Sequence, residues 1–287
     1  MGKTVKTEFT ISYDDSGELK DHLINARDLG AAITGMYDLI TKAAEIVSNG
    51  SSSADLKVIA PAKEGSLEIL FVMLADPLTT TTVLKSIGIG VAAAATSAGT
   101  ALGIMDRLKD KKIDRVVINS KTQTAKLETS DGTFETTSHV AQLVSSREIR
   151  QALHKVIQVP LQGREDAKIS FITKKQKVTL DDDKINNFTQ IRSDVTEKET
   201  KKTYQKVVQF TKLNFKSKRG WTIQSRDGLE VGVSIQDTTF MQKVAASEEA
   251  FEKEKFYTVE IEETVTTNIS GTKTKYSILR VINELSH

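Results

Sequence analysis

Eight basic residues and no acid occupy positions 200–226: Lys201, Lys202, Lys206, Lys212, Lys216, Lys218, Arg219 and Arg226. Rings punctuate the same window at Tyr204, Phe210, Phe215 and Trp221, the last being the only tryptophan. Cationic side chains neutralise phosphates and release counterions, while flat rings stack on unpaired bases. The combination therefore fits single-stranded nucleic acid. If 204–215 is a strand, Lys212, Asn214, Lys216 and Lys218 alternate onto one face and Leu213 and Phe215 onto the other. Phe215 then belongs to a core. The expected ligand contacts are Lys212, Lys216, Lys218, Arg219 and Arg226, with Tyr204 and Trp221 as stacking rings. An edge strand guarded by lysines against aggregation is the other reading of this pattern.

Patterns that would support catalysis are weak. His22, His139, His154 and His287 do not stand at metal-ligand spacing, and His154 reads as a packed or exposed helical residue. Asp181, Asp182 and Asp183 lack the glycine and downstream glutamate of a calcium loop. Gly88-Ile89-Gly90-Val91-Ala92-Ala93 matches the dinucleotide fingerprint GxGxxA, but no clean strand precedes it and no βαβ pattern follows. No serine sits in a nucleophile elbow. The chain has no cysteine, which excludes disulfides and thiolate metal sites and fits a reducing cytoplasm. No catalytic residue, cofactor or metal is expected, and the chain reads as something other than an enzyme.

The strongest non-polar signal is an uncharged run of 20 residues, 86–105. It interrupts a chain with 27% charged residues and a mean hydropathy of −0.28. Asp76-Pro77 is an N-cap followed by proline at the first helical position. A helix over 77–108 is expected, long enough to span a bilayer with tilt. Arg107, Lys109, Lys111, Lys112 and Arg115 follow it, so the positive-inside bias keeps its C-terminal side cytoplasmic. A wheel puts Thr82, Ser86, Thr96, Ser97 and Thr100 on one side as a pore-lining stripe. Gly88, Ala92, Gly99 and Gly103 form a small-residue row for close helix packing. The competing reading is a buried Ala/Gly-rich helix inside a soluble oligomer.

These features sit on an expected α+β chain. Residues 1–165 form a mixed α/β module: strands at 4–13, 55–61 and 66–75, helices at 28–47 and 140–158, and a meander at 115–136. Residues 166–287 form a β-rich domain, a small barrel or curled sheet. Its strands are expected at 168–173, 177–180, 204–215, 221–226, 230–235, 256–266 and 274–282, with a short helix at 247–255. At 287 residues and net charge +2, two domains are the natural division.

The order of strand, turn and helix 28–47, then Leu56-Lys57-Val58 and Lys63-Glu64-Gly65-Ser66-Leu67-Glu68-Ile69, then a Gly/Ala-rich helix with a basic exit, resembles a family of bacterial proteins found near defence and mobile-element genes. The resemblance covers about residues 1–160. With the basic β domain appended, the chain resembles the effectors of the Hailong anti-phage systems. That resemblance implies a homo-oligomeric ion channel of the inner membrane, with a tetramer favoured and the C-terminal domain in the cytoplasm. It further implies a C-terminal crown that binds a single-stranded DNA oligomer made by a partner nucleotidyltransferase. The ligand holds the effector inactive, and its loss opens the channel and arrests growth. The alternative is a soluble oligomeric nucleic-acid-binding protein with no channel activity.

Overall fold

The computed structural model describes residues 4–59, 67–91, 99–109, 111–190, 197–246, 251, 255–268 and 271–285. The chain divides into two units: residues up to 116 with 124–196, and residues 117–123 with 197 onward.

The first unit begins with β1 (Val5–Asp14), α1 (Ala26–Val47), β2 (Asp55–Ile59) and β3 (Leu67–Ala75). There follow α2 (Pro77–Ile87), α3 (Ala101–Leu108), β4 (Arg115–Asn119, of which 117–119 fall in the second unit), β5 (Thr124–Thr129) and β6 (Gly132–Thr137). The unit ends with α4 (Ser138–Ser145), α5 (Arg147–Ile157), β7 (Lys168–Ile172), β8 (Lys177–Asp181) and the single turn α6 (Asp182–Ile185). Its main sheet is antiparallel, in the order β2-β3-β1-β7-β8. Phe9, Ile11 and Tyr13 alternate inward along β1 and are buried, as a half-covered strand requires. The Tyr13 hydroxyl donates to the Val156 carbonyl at 2.7 Å, tying the sheet to α5. Helix α1 starts where Asn25 Oδ1 accepts the Arg27 N–H at 2.8 Å. It lies close on α5: a Cβ at Gly35 would stand 2.7 Å from Lys155 Cβ.

Two expectations change here. Strands 168–172 and 177–181, assigned by sequence to the second domain, belong to this sheet through the pairing Ile11↔Phe171, so the boundary falls at 196. The helix expected at 140–158 is two helices, because Ser146 leaves the helical conformation and its hydroxyl caps α5.

The long apolar helix over 77–108 is also corrected. Asp76 caps α2 as expected, accepting the Thr79 N–H at 2.9 Å. The helix then ends at Ile87, because Gly88 adopts φ +115°, a left-handed C-cap open to glycine at little cost. Helix α3 is a separate element that starts at Thr100, whose Oγ1 accepts the Gly103 N–H at 3.2 Å. Among the described residues no helix is long and apolar enough to cross a membrane. Thr96, Ser97 and Ala92 lie outside the described residues. Ser86 and Thr100 are buried and Thr82 is half-buried, so these three do not line an open channel here. Of the small-residue row, Gly88 packs close to Thr100, Gly103 is buried and Gly99 has open space around it.

A buried ion pair fastens the first unit. Arg164 Nη1 donates to Asp15 Oδ2 at 2.7 Å, while Asp15 Oδ1 accepts the N–H groups of Gly17 and Leu19 at 2.8 and 3.0 Å. Burial alone would raise the Asp15 carboxyl, but Arg164 and the two backbone donors hold it below its usual 3.8. Breaking such a pair leaves a charge without compensation. Arg164→Met is expected to cost about 2 kcal/mol in chemical denaturation at pH 7. Because the folded carboxyl is the more acidic one, this contribution is complete above 3.8 and is lost as pH falls through the folded value. The variant should therefore show a shallower acid limb than the wild type.

The second unit contains β9 (Glu197–Lys212), β10 (Trp221–Ser225), β11 (Glu230–Ile235), α7 (Thr238–Ala245), β12 (Phe256–Asn268) and β13 (Gly271–Leu285). The order β10-β11-β13-β12-β9 closes on itself through a β10–β9 pairing, giving a five-stranded barrel. Only β11–β13 is parallel; the other four pairings are antiparallel. The barrel is filled by Val208, Trp221, Ile223, Val233, Ile235, Phe240, Tyr257, Val259, Ile261 and Ile278. The hairpin expected at Arg226-Asp227-Gly228 is present, with Gly228 at φ +90°. The helix expected at 247–255 lies largely outside the described residues, and α7 just before it carries no sequence expectation. Residues 117–123 join this unit, where the Ser120 N–H donates to the Lys201 carbonyl at 2.9 Å.

Candidate nucleic-acid interface

Strand β9 stops at Lys212, so the alternation expected through Lys218 does not occur. Residues 213–220 form a loop instead. Its shape is set by its own polar groups. Asn214 Oδ1 accepts the Lys216 N–H at 3.2 Å and Asn214 Nδ2 donates to the Arg219 carbonyl at 2.8 Å. Ser217 Oγ accepts the Arg219 N–H at 3.2 Å. The indole Nε1 of Trp221 donates to the Ser217 carbonyl at 2.8 Å, and the Ile235 N–H donates to the Lys218 carbonyl at 2.7 Å. Gly220 closes the loop at φ +85°. The loop is thus bonded at both ends and leaves its cationic side chains outside.

Lys212, Lys216, Lys218 and Arg219 are all exposed, and among the described residues none of the four has a carboxylate partner. The other cations of the window are engaged. Lys201 lies 3.5 Å from Glu262, Lys206 lies 2.9 Å from Asp227, and Lys202 sits 5.7 Å from the Tyr204 ring centre. Arg226 stands over the Phe256 ring at 4.9 Å.

The two aromatic expectations exchange places. Trp221 is 1% exposed and fills the barrel core, with its only polar atom spent on Ser217, so it cannot stack on a base. Phe215, expected in the core, is 57% exposed and rests against Trp221 and Phe251 at 6.3 and 5.8 Å. The physical reason is the end of β9: once the strand stops, alternation no longer decides which ring points inward. Tyr204 is half-buried against the core, and burial raises its hydroxyl to about 12. It lies eight residues back along β9 from Lys212, roughly 26 Å at strand rise, so the fold does not bring it to the loop.

Between the loop and Arg226 runs the outer face of β10. Trp221, Ile223 and Ser225 point inward, which leaves Thr222 and Gln224 outward. Thr222 pairs with Gly232 and Gln224 with Glu230. A Cβ at Gly232 would meet nothing closer than 3.8 Å, so the surface there is flat. The one acid on this strip, Glu230, accepts from the Thr211 hydroxyl at 3.2 Å. The strip offers a cationic loop at one end, Arg226 about 16 Å away at the other, and polar, low-relief side chains between them. No metal-holding group of His, Asp or Glu occurs among the described residues.

The barrel strands, counted 1 to 5 from β9, are ordered 1-2-3-5-4-1 with a helix between strands 3 and 4. This is the connectivity of the oligonucleotide- and oligosaccharide-binding barrels, whose ligands lie on the outer face of strands 2 and 3 and on the loop between strands 1 and 2. Here those parts are β10, β11 and residues 213–220. Comparison with protein-family models, curated proteins and solved structures gives no match to this chain.

Proposed function

We propose that the C-terminal barrel binds single-stranded nucleic acid on the outer face of β10 and β11, gripping its phosphates with the 213–220 loop. The observation that carries this is the loop itself. Three exposed cations of the loop and Lys212 at the end of β9, all without carboxylate partners among the described residues, accompany one exposed ring, at the place where barrels of this connectivity take their ligand. The cations neutralise phosphate, and Phe215 offers a face for an unpaired base. A duplex hides its base faces and would gain from the cations alone, so single strands are preferred.

The resemblance to the Hailong effectors extends this proposal. The bound strand is a DNA oligomer supplied by a partner nucleotidyltransferase, and it holds the N-terminal unit of a homo-oligomer at rest. In that reading the segment after Gly88 enters the bacterial inner membrane on release. Burial of Ser86, Ile87, Ile89, Leu102 and Gly103 favours the second reading, in which the Ala/Gly-rich stretch stays within the protein and no channel forms. Ion flux from liposomes, measured with and without an added oligomer, separates the two.

The binding proposal is tested by fluorescence anisotropy with oligo(dT) of about 12 nucleotides, within the range one such barrel covers. Four phosphate contacts at roughly −0.7 each give a log–log salt slope of about −3. A duplex of equal length should bind at least tenfold more weakly. A flat salt response, or equal affinity for duplex, overturns the proposal.

A further inference from the structure

A second cationic concavity lies in the first unit, far along the chain from the barrel loop. The antiparallel pairing Thr10↔Ile172 lays the β7–β8 turn beside the start of β1. That turn is fixed by the Thr173 N–H, which donates to the Gln176 carbonyl at 2.8 Å and leaves Lys174 and Lys175 at its exposed tip. The left-handed cap at Gly88 turns the chain from the end of α2 toward the same place. There Gly90, at φ +74°, comes so close that an added Cβ would lie 3.1 Å from Thr173 Cγ2. The result is a cavity of about 620 Å³, with Lys6, Lys85, Lys174 and Lys175 around it and Leu84 and Ile89 lining it.

The charges are unbalanced. Lys6 has Glu8 at 3.8 Å, whereas among the described residues Lys85, Lys174 and Lys175 have no carboxylate partner. Like charges around a concave wall repel one another and focus a positive potential into it. An anion that bridges them removes both costs. The lining also includes buried apolar groups, Leu84 and Ile89, so a bare inorganic ion would leave half the wall unused. Gly88 and Gly90 belong to the GxGxxA match, and they follow the C-terminus of α2. The end of α2 presented there is its negative one, so α2 itself gives a phosphate no help and the lysines must hold it. Four lysines against Glu8 leave a net three positive charges, which outweigh roughly half a negative one.

We infer that this cavity binds a small molecule carrying a phosphate group on an apolar body, a nucleoside phosphate or a phospholipid head with its first carbons. Its volume falls in the range of small-molecule sites, and the ligand is held independently of the barrel.

The test uses the full chain with two probes: ATP by titration calorimetry, and sedimentation with vesicles of phosphatidylglycerol against vesicles of phosphatidylcholine. Expected is saturable ATP binding, or retention on the anionic vesicles only. Either should weaken at least tenfold in K85Q/K174Q/K175Q and severalfold in K174E, whose changed side chain is on the exposed turn tip and leaves folding intact. K216E/K218E/R219E, altered in the barrel loop, should bind as wild type does. ATP binding identifies a free phosphate ester as the ligand, and vesicle binding without ATP binding identifies a lipid head. Absence of both, or affinity unchanged by K174E and the triple glutamine variant, overturns the inference.

Discussion

K216E/K218E/R219E will lower affinity for single-stranded oligo(dT) by about a thousandfold at low salt, with a change in thermal midpoint of about a degree. Each replacement removes one phosphate contact and sets a like charge against the strand. At about 1.4 kcal/mol per site, three sites give roughly 4 kcal/mol, a factor of about a thousand. The salt slope should fall toward zero along with the affinity, because the released counterions were those of these contacts. Folding should be spared, because the loop is held by Asn214, Ser217, the Trp221 indole and three backbone carbonyls, none of which the variant changes. Phe215→Ala separates stacking from charge: a loss of about 1–3 kcal/mol at unchanged salt slope is expected for one stacked base. Unchanged affinity in the triple variant, measured by anisotropy, would move the site off this loop.

Much of this interface could be read from residue order, and the parts that could not have specific causes. Charge in the 200–226 window was visible because no acid interrupts it, and exposure then divided it. Lys201, Lys202 and Lys206 lie along β9 beside a carboxylate of β12, a carboxylate of the β10–β11 turn or a ring of β9 itself, whereas Lys212 ends β9 and Lys216 to Arg219 lie beyond it. Nothing in alternation alone says where a strand stops. The run Lys216-Ser217-Lys218-Arg219-Gly220 carried that signal, since three cations and a glycine with small polar residues suit a turn better than a strand. A loop at that run frees Phe215 from strand alternation and leaves the inward place to Trp221, the first residue of β10.

Non-local pairing explains the other differences. Short strands with turns announced a small barrel. Its connectivity depends on the parallel contact Ser234↔Ser277 between segments more than forty residues apart, which no local pattern encodes. Likewise β7 looked like the start of a new domain because it follows a glycine-containing turn, but its partner is β1, at the opposite end of the unit. The apolar stretch misled for a different reason. Periodicity registers side chains, while Gly88 acts through its backbone, and one positive φ divides what composition shows as a single run.

Arg150→Met will raise the thermal midpoint by about 6 °C, an unusual outcome for a large buried side chain. Arg150 projects from α5 and is 2% exposed, and among the described residues Nε, Nη1 and Nη2 have no hydrogen-bond partner. Burial pulls its guanidinium down from 12.5 to about 10. At about 1.4 kcal/mol per pH unit, holding the charge in place costs roughly 3 kcal/mol. Since the folded value is the lower one, the penalty is complete through neutral pH and shrinks only above about 10. Methionine is unbranched, fills most of the same space and needs no partner. Buried charged groups replaced by apolar ones of similar size commonly gain stability, and each kcal/mol is worth about 2–4 °C in a chain of this size. Arg150→Lys, which keeps the charge, should gain nothing. Calorimetry at pH 7 decides the point: a midpoint lowered by several degrees in Arg150→Met would mean that the guanidinium is paired in solution. A midpoint of the wild-type chain that climbs with protein concentration would then place that partner on a second copy.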